Sequence, residues 1–164
     1  MKTIDSSISI SSSLNVQKTV YPILFAVAIA HLFNDLIQAV IPAAYPILKE
    51  NYNLSFTQIG LITLSYQLAA SILQPLVGLY TDKNPKPFSQ MYGMLFSLAG
   101  IITLAYASSF NFVLLAVILV GIGSSIFHPE SSRISFLAPG GKRGLAQSIF
   151  QLGGNAGTAI GPLL

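Results

Sequence analysis

The sequence predicts an all-α membrane protein with five membrane-spanning helices, and three observations carry that expectation. Just over half of the 164 residues (52%) are apolar and only 8% are charged, against roughly 25% charged in soluble domains. Five stretches reach the about 20 apolar residues that a helix needs to cross a hydrocarbon core of roughly 30 Å. The connections between them are short and rich in turn-forming residues, so none is a domain boundary.

The elements follow in order. A polar, Ser-rich tail over residues 1–19 lacks the short apolar stretch and cleavage site of a secretory signal. The spans are expected at 20–48, 56–80, 88–108, 112–136 and 145–164. Lys49-Glu50-Asn51-Tyr52-Asn53, Asp82-Lys83-Asn84-Pro85-Lys86-Pro87, Ser108-Ser109-Phe110-Asn111 and Ala138-Pro139-Gly140-Gly141-Lys142-Arg143-Gly144 supply the turns between them. Basic residues resist translocation and so set orientation. The tail holds Lys2 and Lys18, the second loop Lys83 and Lys86, and the fourth loop Lys142 and Arg143, whereas the other two loops hold only Lys49. This alternation places the N-terminus in the cytoplasm of a cell whose plasma (inner) membrane the chain crosses.

The same distribution argues against a nucleic-acid partner, because the eight basic residues are scattered singly or in pairs. With no cysteine and two histidines there is little from which to build a metal site, and no cofactor is expected. An internal echo is present: Tyr66-Gln67-Leu68-Ala69-Ala70 in the second span resembles Phe150-Gln151-Leu152-Gly153-Gly154 in the fifth, the pairing that a three-helix inverted repeat would produce.

Asp35 carries the strongest chemical signal. At a rise of 1.5 Å per residue it lies roughly 20 Å into the first span, near the bilayer centre. A charge there is expensive by about 2.5–3.5 kcal/mol even on insertion scales, so such residues face a cavity or a polar partner. His31 and Gln38 sit one turn to either side on the same helix face. An acid so placed is a candidate for reversible protonation, the structural alternative being a protonated carboxyl that ties two helices together. In the fourth span, His128, Glu130 and Arg133 flank Pro129, which cannot donate a backbone hydrogen bond and loosens the preceding turn. Glu130 and Arg133, three apart, can pair. Arg133 alternatively snorkels to the headgroups. Gly153, Gly157 and Gly161, followed by Pro162, form a flat face in the fifth span that another backbone can approach closely.

These strings resemble the major facilitator superfamily, and within it the fosmidomycin-resistance-type efflux transporters. Gly78-Leu79-Tyr80-Thr81-Asp82-Lys83 with Lys86 is similar to the superfamily's loop signature between helices two and three, and Gly157-x-x-x-Gly161-Pro162 to the fifth-helix signature of proton-coupled antiporters. His31-Leu-Phe-Asn34-Asp35, the run from Ser124 to Arg133, and Gly144-Leu-Ala-Gln147-Ser-Ile-Phe-Gln151 resemble the narrower subfamily. Pro85 departs from the glycine of the loop signature, and Val117 stands where the superfamily's fourth helix commonly has arginine.

The resemblance implies a fold of two six-helix bundles, of which these five spans would be most of one, partnered by a missing C-terminal half. It also implies export of a small antimicrobial, fosmidomycin-like compound in exchange for protons. Asp35 would be the carrier acid, His31, Gln38, His128 and Glu130 would line the path, and Arg133 would contact an anion. The alternative is a transport-inactive membrane fragment or interaction subunit. An enzyme is not expected: no His-Glu-x-x-His pair is present, and Ser124 and Ser125 beside His128 read as helix-packing residues.

Overall fold

A computed structural model of the protein describes residues 18–137 and 140–164. The expected tail up to residue 17, with Lys2, lies outside the described residues, as do Ala138 and Pro139 of the fourth turn. The regular elements are α1 (Tyr21–Ala43), α2 (Tyr45–Asn51), α3 (Phe56–Lys83), α4 (Ser89–Ala105), α5 (Phe110–Leu137) and α6 (Arg143–Ile160), closed by a 3-10 turn over Gly161–Leu163. Every regular element among the described residues is therefore helical. The five expected spans correspond to α1 with α2, α3, α4, α5, and α6 with its terminal turn.

The elements differ from expectation where local chemistry intervenes. The span expected at 20–48 is two helices. Pro42 and Pro46 stand four apart, so Pro46 has no N–H to offer the Pro42 carbonyl, and the chain turns at Ala44, whose N–H bonds the carbonyls of Val40 (2.9 Å) and Ile41 (3.2 Å). α2 then lays Leu48 into a core with Ile41, Leu54, Ile62, Val113, Val117 and Val120. Val117, where an arginine is common in the resembled family, is thus a fully buried apolar core residue.

α3 starts on a capping box in which the Ser55 hydroxyl accepts from the Gln58 N–H (3.2 Å) and the Gln58 side chain accepts from the Ser55 N–H (2.8 Å). It continues through Asp82 and Lys83, which were expected in the turn. Lys83 occupies its last turn, where a cation complements the free carbonyls. α4, at 17 residues, is shorter than the span expected at 88–108, a length of about 25 Å. It ends at Tyr106, and the Tyr52 hydroxyl donates to the Ala107 carbonyl just beyond (2.5 Å).

Among the described residues, three helices, α1, α3 and α5, are by length and composition long and apolar enough to cross a membrane. α4 falls just short in length, whereas α6, at 18 residues, has the length without the apolarity. The protein is a multi-pass membrane protein. Leu64, Leu68, Ile72, Leu76 and Leu79 form an exposed apolar stripe along α3 at helical spacing, a face suited to lipid rather than water.

α5 is the central helix, with α3 and α4 packed along it, while α6 packs along α1. Small residues make each seam close. Gly93 and Gly100 of α4 meet α5 at Gly123, Phe127, Ala116 and Val120, and Gly121 of α5 meets the Tyr66 carbonyl and Ala69 of α3. Gly153 and Gly157 of α6, with Gly161 of the terminal turn, lie against the α1 backbone at Ala28, Leu32 and Leu36. The echoed sequences occupy equivalent seams: Ala69-Ala70 receives α5, and Gly153-Gly154 receives α1.

Candidate functional site

His31, Asp35 and His128 converge where α1, α5 and α6 meet. One turn of α1 separates His31 from Asp35 and brings His31 Nε2 to 3.3 Å from Asp35 Oδ2. α5 presents His128 Nε2 at 3.6 Å from the other carboxylate oxygen, Oδ1. Each ring is held from its far side. His31 Nδ1 donates to the Phe150 carbonyl of α6 (2.9 Å), and the His31 ring stacks on the Phe150 ring at 3.9 Å between centroids. His128 Nδ1 donates to the Ser124 carbonyl (3.0 Å). The Asn34 amide donates to Asp35 Oδ1 (3.0 Å).

A carbonyl oxygen can only accept, so both neutral rings carry their proton on Nδ1 and turn a bare Nε2 lone pair toward Asp35. An ionised carboxylate also only accepts. The centre of the triad therefore lacks a donor unless a cation enters it. Ser124 Oγ lies 3.2 Å from His128 Nδ1, but that nitrogen already gives its proton to a carbonyl and is no base toward the hydroxyl.

Gln38 shares the helix face of Asp35 and accepts a hydrogen bond from the Tyr66 hydroxyl of α3. A cavity of about 200 Å³ opens beside Asp35, lined also by Gln38, Ala39 and Thr158. Thr158 ends an exposed polar stripe on α6, Gln147, Gln151, Asn155 and Thr158, which flanks the buried face of Ala146, Phe150, Gly153, Gly154 and Gly157. This stripe is why α6 is not apolar. A polar face does not sit against acyl chains, so it marks a wet path or another protein surface.

Glu130 and Arg133 form the second cluster, further along α5. Arg133 Nη2 donates to Glu130 Oε2 at 2.8 Å, with the Glu130 side chain 2% exposed. Glu130 Oε1, Arg133 Nε and the hydroxyls of Ser131 and Ser135 are buried with no hydrogen-bond partner among the described residues. Pro129 packs against Gly78, where an added Cβ would sit 3.6 Å from the proline ring. Asp82, Lys83 and Lys86 are exposed, and Pro162 sits in the terminal turn after the buried Gly161. A larger cavity, about 600 Å³, lies between α1 and α4 among Phe33, Ile37, Met91, Met94, Leu95 and Leu98, and it contains no ionisable group.

Sequence reasoning missed Tyr66, Phe150, Gly154 and the α6 stripe as parts of the site. The stripe had a signal in its four-residue polar spacing. Gly154 had none: an added Cβ there would run into the His31 imidazole and the Asp35 carboxylate, a clearance visible only once α6 is docked.

With this geometry in place, the chain matches the Major Facilitator Superfamily over residues 27–164. It is 55% identical over 154 residues to the fosmidomycin resistance protein of Escherichia coli (strain K12), covering 94% of this chain and 38% of that protein. It is 51% identical over 146 residues to the uncharacterized MFS-type transporter YfnC of Bacillus subtilis (strain 168), covering 89% of this chain and 36% of that protein. A lower similarity, 27% over 147 residues, relates 89% of it to 31% of the lincomycin resistance protein LmrB of the same Bacillus strain. The chain thus spans little over a third of the length of the first two relatives.

Proposed function

We propose that this chain, which belongs to the Major Facilitator Superfamily, supplies the proton-handling helices of a transporter that exports a small, fosmidomycin-like antimicrobial compound in exchange for protons. The observation that carries the reading is the His31–Asp35–His128 triad, three proton acceptors facing one another beside a cavity in the membrane-spanning part of the chain. A proton entering the triad turns an acceptor-only cluster into a hydrogen-bonded one. Its departure restores repulsion between lone pairs, so proton occupancy is coupled to how closely α1 and α5 approach. Asp35 is the carrier acid in this reading. Gln38 and the α6 stripe line the substrate path, and Glu130 with Arg133 stiffens α5 and offers the path an anion contact.

The resistance relative supports the substrate class, and the relatives' greater length supports a second set of helices as the moving partner. On its own, the 164-residue chain is then expected to give no efflux. The decisive experiment expresses the full coding frame with Asp35→Asn in drug-sensitive cells and follows resistance together with proton flux in everted vesicles. Resistance at the empty-vector level with normal membrane insertion is expected; undiminished resistance and proton coupling remove Asp35 from the mechanism.

The orientation proposed is a cytoplasmic N-terminus in the plasma membrane. With no native cysteine, a single introduced thiol reports sidedness cleanly. A membrane-impermeant maleimide should label Glu50→Cys in intact cells and Lys86→Cys only after permeabilisation, and the opposite pattern inverts the topology.

A further inference from the structure

We infer that His31, Asp35 and His128 form a binding site for one divalent transition-metal cation of the zinc class. Composition leaves the chain only two histidines, and the fold brings both to the same carboxylate. One donor atom from each of the three residues lies within 4.8 Å of the other two. Bonds of about 2.0–2.1 Å at tetrahedral angles hold ligand atoms about 3.4 Å apart. His31 Nε2 lies 3.3 Å from Asp35 Oδ2 and His128 Nε2 3.6 Å from Asp35 Oδ1, each close to that edge, so the carboxylate presents one oxygen to each imidazole.

The surroundings are those of a ligand set. Metal-binding histidines give their other ring N–H to a carbonyl or carboxylate, which fixes the tautomer and aims the free lone pair. Here both Nδ1 atoms do so, to the carbonyls of Phe150 and Ser124. The carboxylate is steadied by Asn34. Two imidazoles and one carboxylate favour zinc-like cations over magnesium or calcium, which prefer oxygen. Three protein ligands leave a fourth position, and the cavity beside Asp35 gives water or a chelating solute access to it. Gly154 keeps a side chain off His31 Nε2 and Asp35 Oδ2, two of the donor atoms. The inference goes beyond proton-linked export and does not need it, because metal affinity is measured without transport.

The experiment is titration of the full chain, purified in detergent and stripped with chelator, with ZnCl₂ in a calorimeter. One zinc per chain is expected, with no heat of binding for MgCl₂. His128→Gln and Asp35→Asn should each weaken zinc binding by at least about tenfold, with helix content checked by circular dichroism, while Glu50→Gln, at an exposed position of α2, retains it. X-ray absorption at the zinc edge of the unmodified chain provides a test that needs no variant, and two imidazoles in the first coordination shell are expected. Absence of binding, unchanged affinity in both folded variants, or a zinc spectrum without imidazole overturns the site. Zinc binding with no effect of Asp35→Asn on export would instead leave the site standing and remove the transport reading.

Discussion

Two charged clusters share α5 and are assembled on different principles. The Glu130–Arg133 pair belongs to a single helix: its partners are three residues apart, the contact is 2.8 Å, and the carboxylate is buried. The His31–Asp35–His128 triad is drawn from α1 and α5 and is braced by a carbonyl of α6, with gaps of 3.3 and 3.6 Å and a cavity alongside. A pair within one helix keeps its geometry when helices shift, because both side chains ride on the same backbone. A cluster between helices changes with every ångström of relative movement. The first is therefore built to hold and the second to respond, although His128 and Glu130 are only about half a turn apart on the same helix.

Removing one member from each cluster should separate these roles. Arg133→Met leaves the Glu130 carboxylate buried without its partner, a change worth about 3–5 kcal/mol of destabilisation for a buried pair. Thermal unfolding in detergent, followed by circular dichroism, should register it as the largest loss among the variants considered. His128→Gln removes a group that meets Asp35 at 3.6 Å, beyond good hydrogen-bond length. Its unfolding should move by less than about 1 kcal/mol, on the scale of a side-chain contact between membrane helices, while zinc affinity and proton coupling collapse. Equal destabilisation by the two substitutions would erase the distinction.

The sequence made the local half of each cluster legible and left the tertiary half unread. His31 and Asp35 are one helical turn apart, as are Glu130 and Arg133, so spacing alone places each pair on one face. Nothing local relates Asp35 to His128, which depends on how α1 and α5 cross, or His31 to the Phe150 carbonyl, a backbone group with no residue-type signature. The fold shows the same division. Membrane-length apolar runs disclose an all-helical membrane chain, because hydropathy and length are local properties. The break at Ala44 was written in Pro42 and Pro46 but masked by the continuous apolarity around them, and the run of α3 through Asp82 and Lys83 ignores charges that resemble a turn. Gln38, on the right face for Asp35, is claimed instead by Tyr66, a competition that no single-helix pattern contains.

Gly154 sharpens the comparison because it touches only the responsive cluster. Its added Cβ would meet the His31 ring and Asp35 Oδ2, so Gly154→Ala should push α6 from α1 at about 1–3 kcal/mol, the usual range for overpacking. Gly60 of α3 is the control, since a Cβ there meets nothing within 4 Å. Gly60→Ala should be neutral or stabilising by up to about 1 kcal/mol through helix propensity. Zinc affinity should fall in Gly154→Ala and stay constant in Gly60→Ala, and an undisturbed triad in Gly154→Ala would show that α6 has room to give.

Among the substitutions near the triad the smallest effect is expected at Tyr66, which reaches its neighbourhood through Gln38 and Ser124. Tyr66→Phe keeps the ring that packs against the Ile41–Val117 core and deletes one hydroxyl, the donor to Gln38 Oε1. Side-chain hydrogen bonds between membrane helices average about 0.6 kcal/mol, so the unfolding shift should sit near that value. Gln38 Nε2 already lacks a partner among the described residues. Losing Tyr66 then frees the whole amide to swing toward Asp35 on its own helix face. The informative readout is therefore functional: if Gln38 reaches Asp35, proton coupling in Tyr66→Phe changes while stability barely moves. Restoration of normal coupling by Gln38→Leu in the same background would assign the change to the released amide. A stability loss of several kcal/mol would instead make Tyr66 part of what holds the helices together, and would place it with Glu130 and Arg133 rather than with the triad.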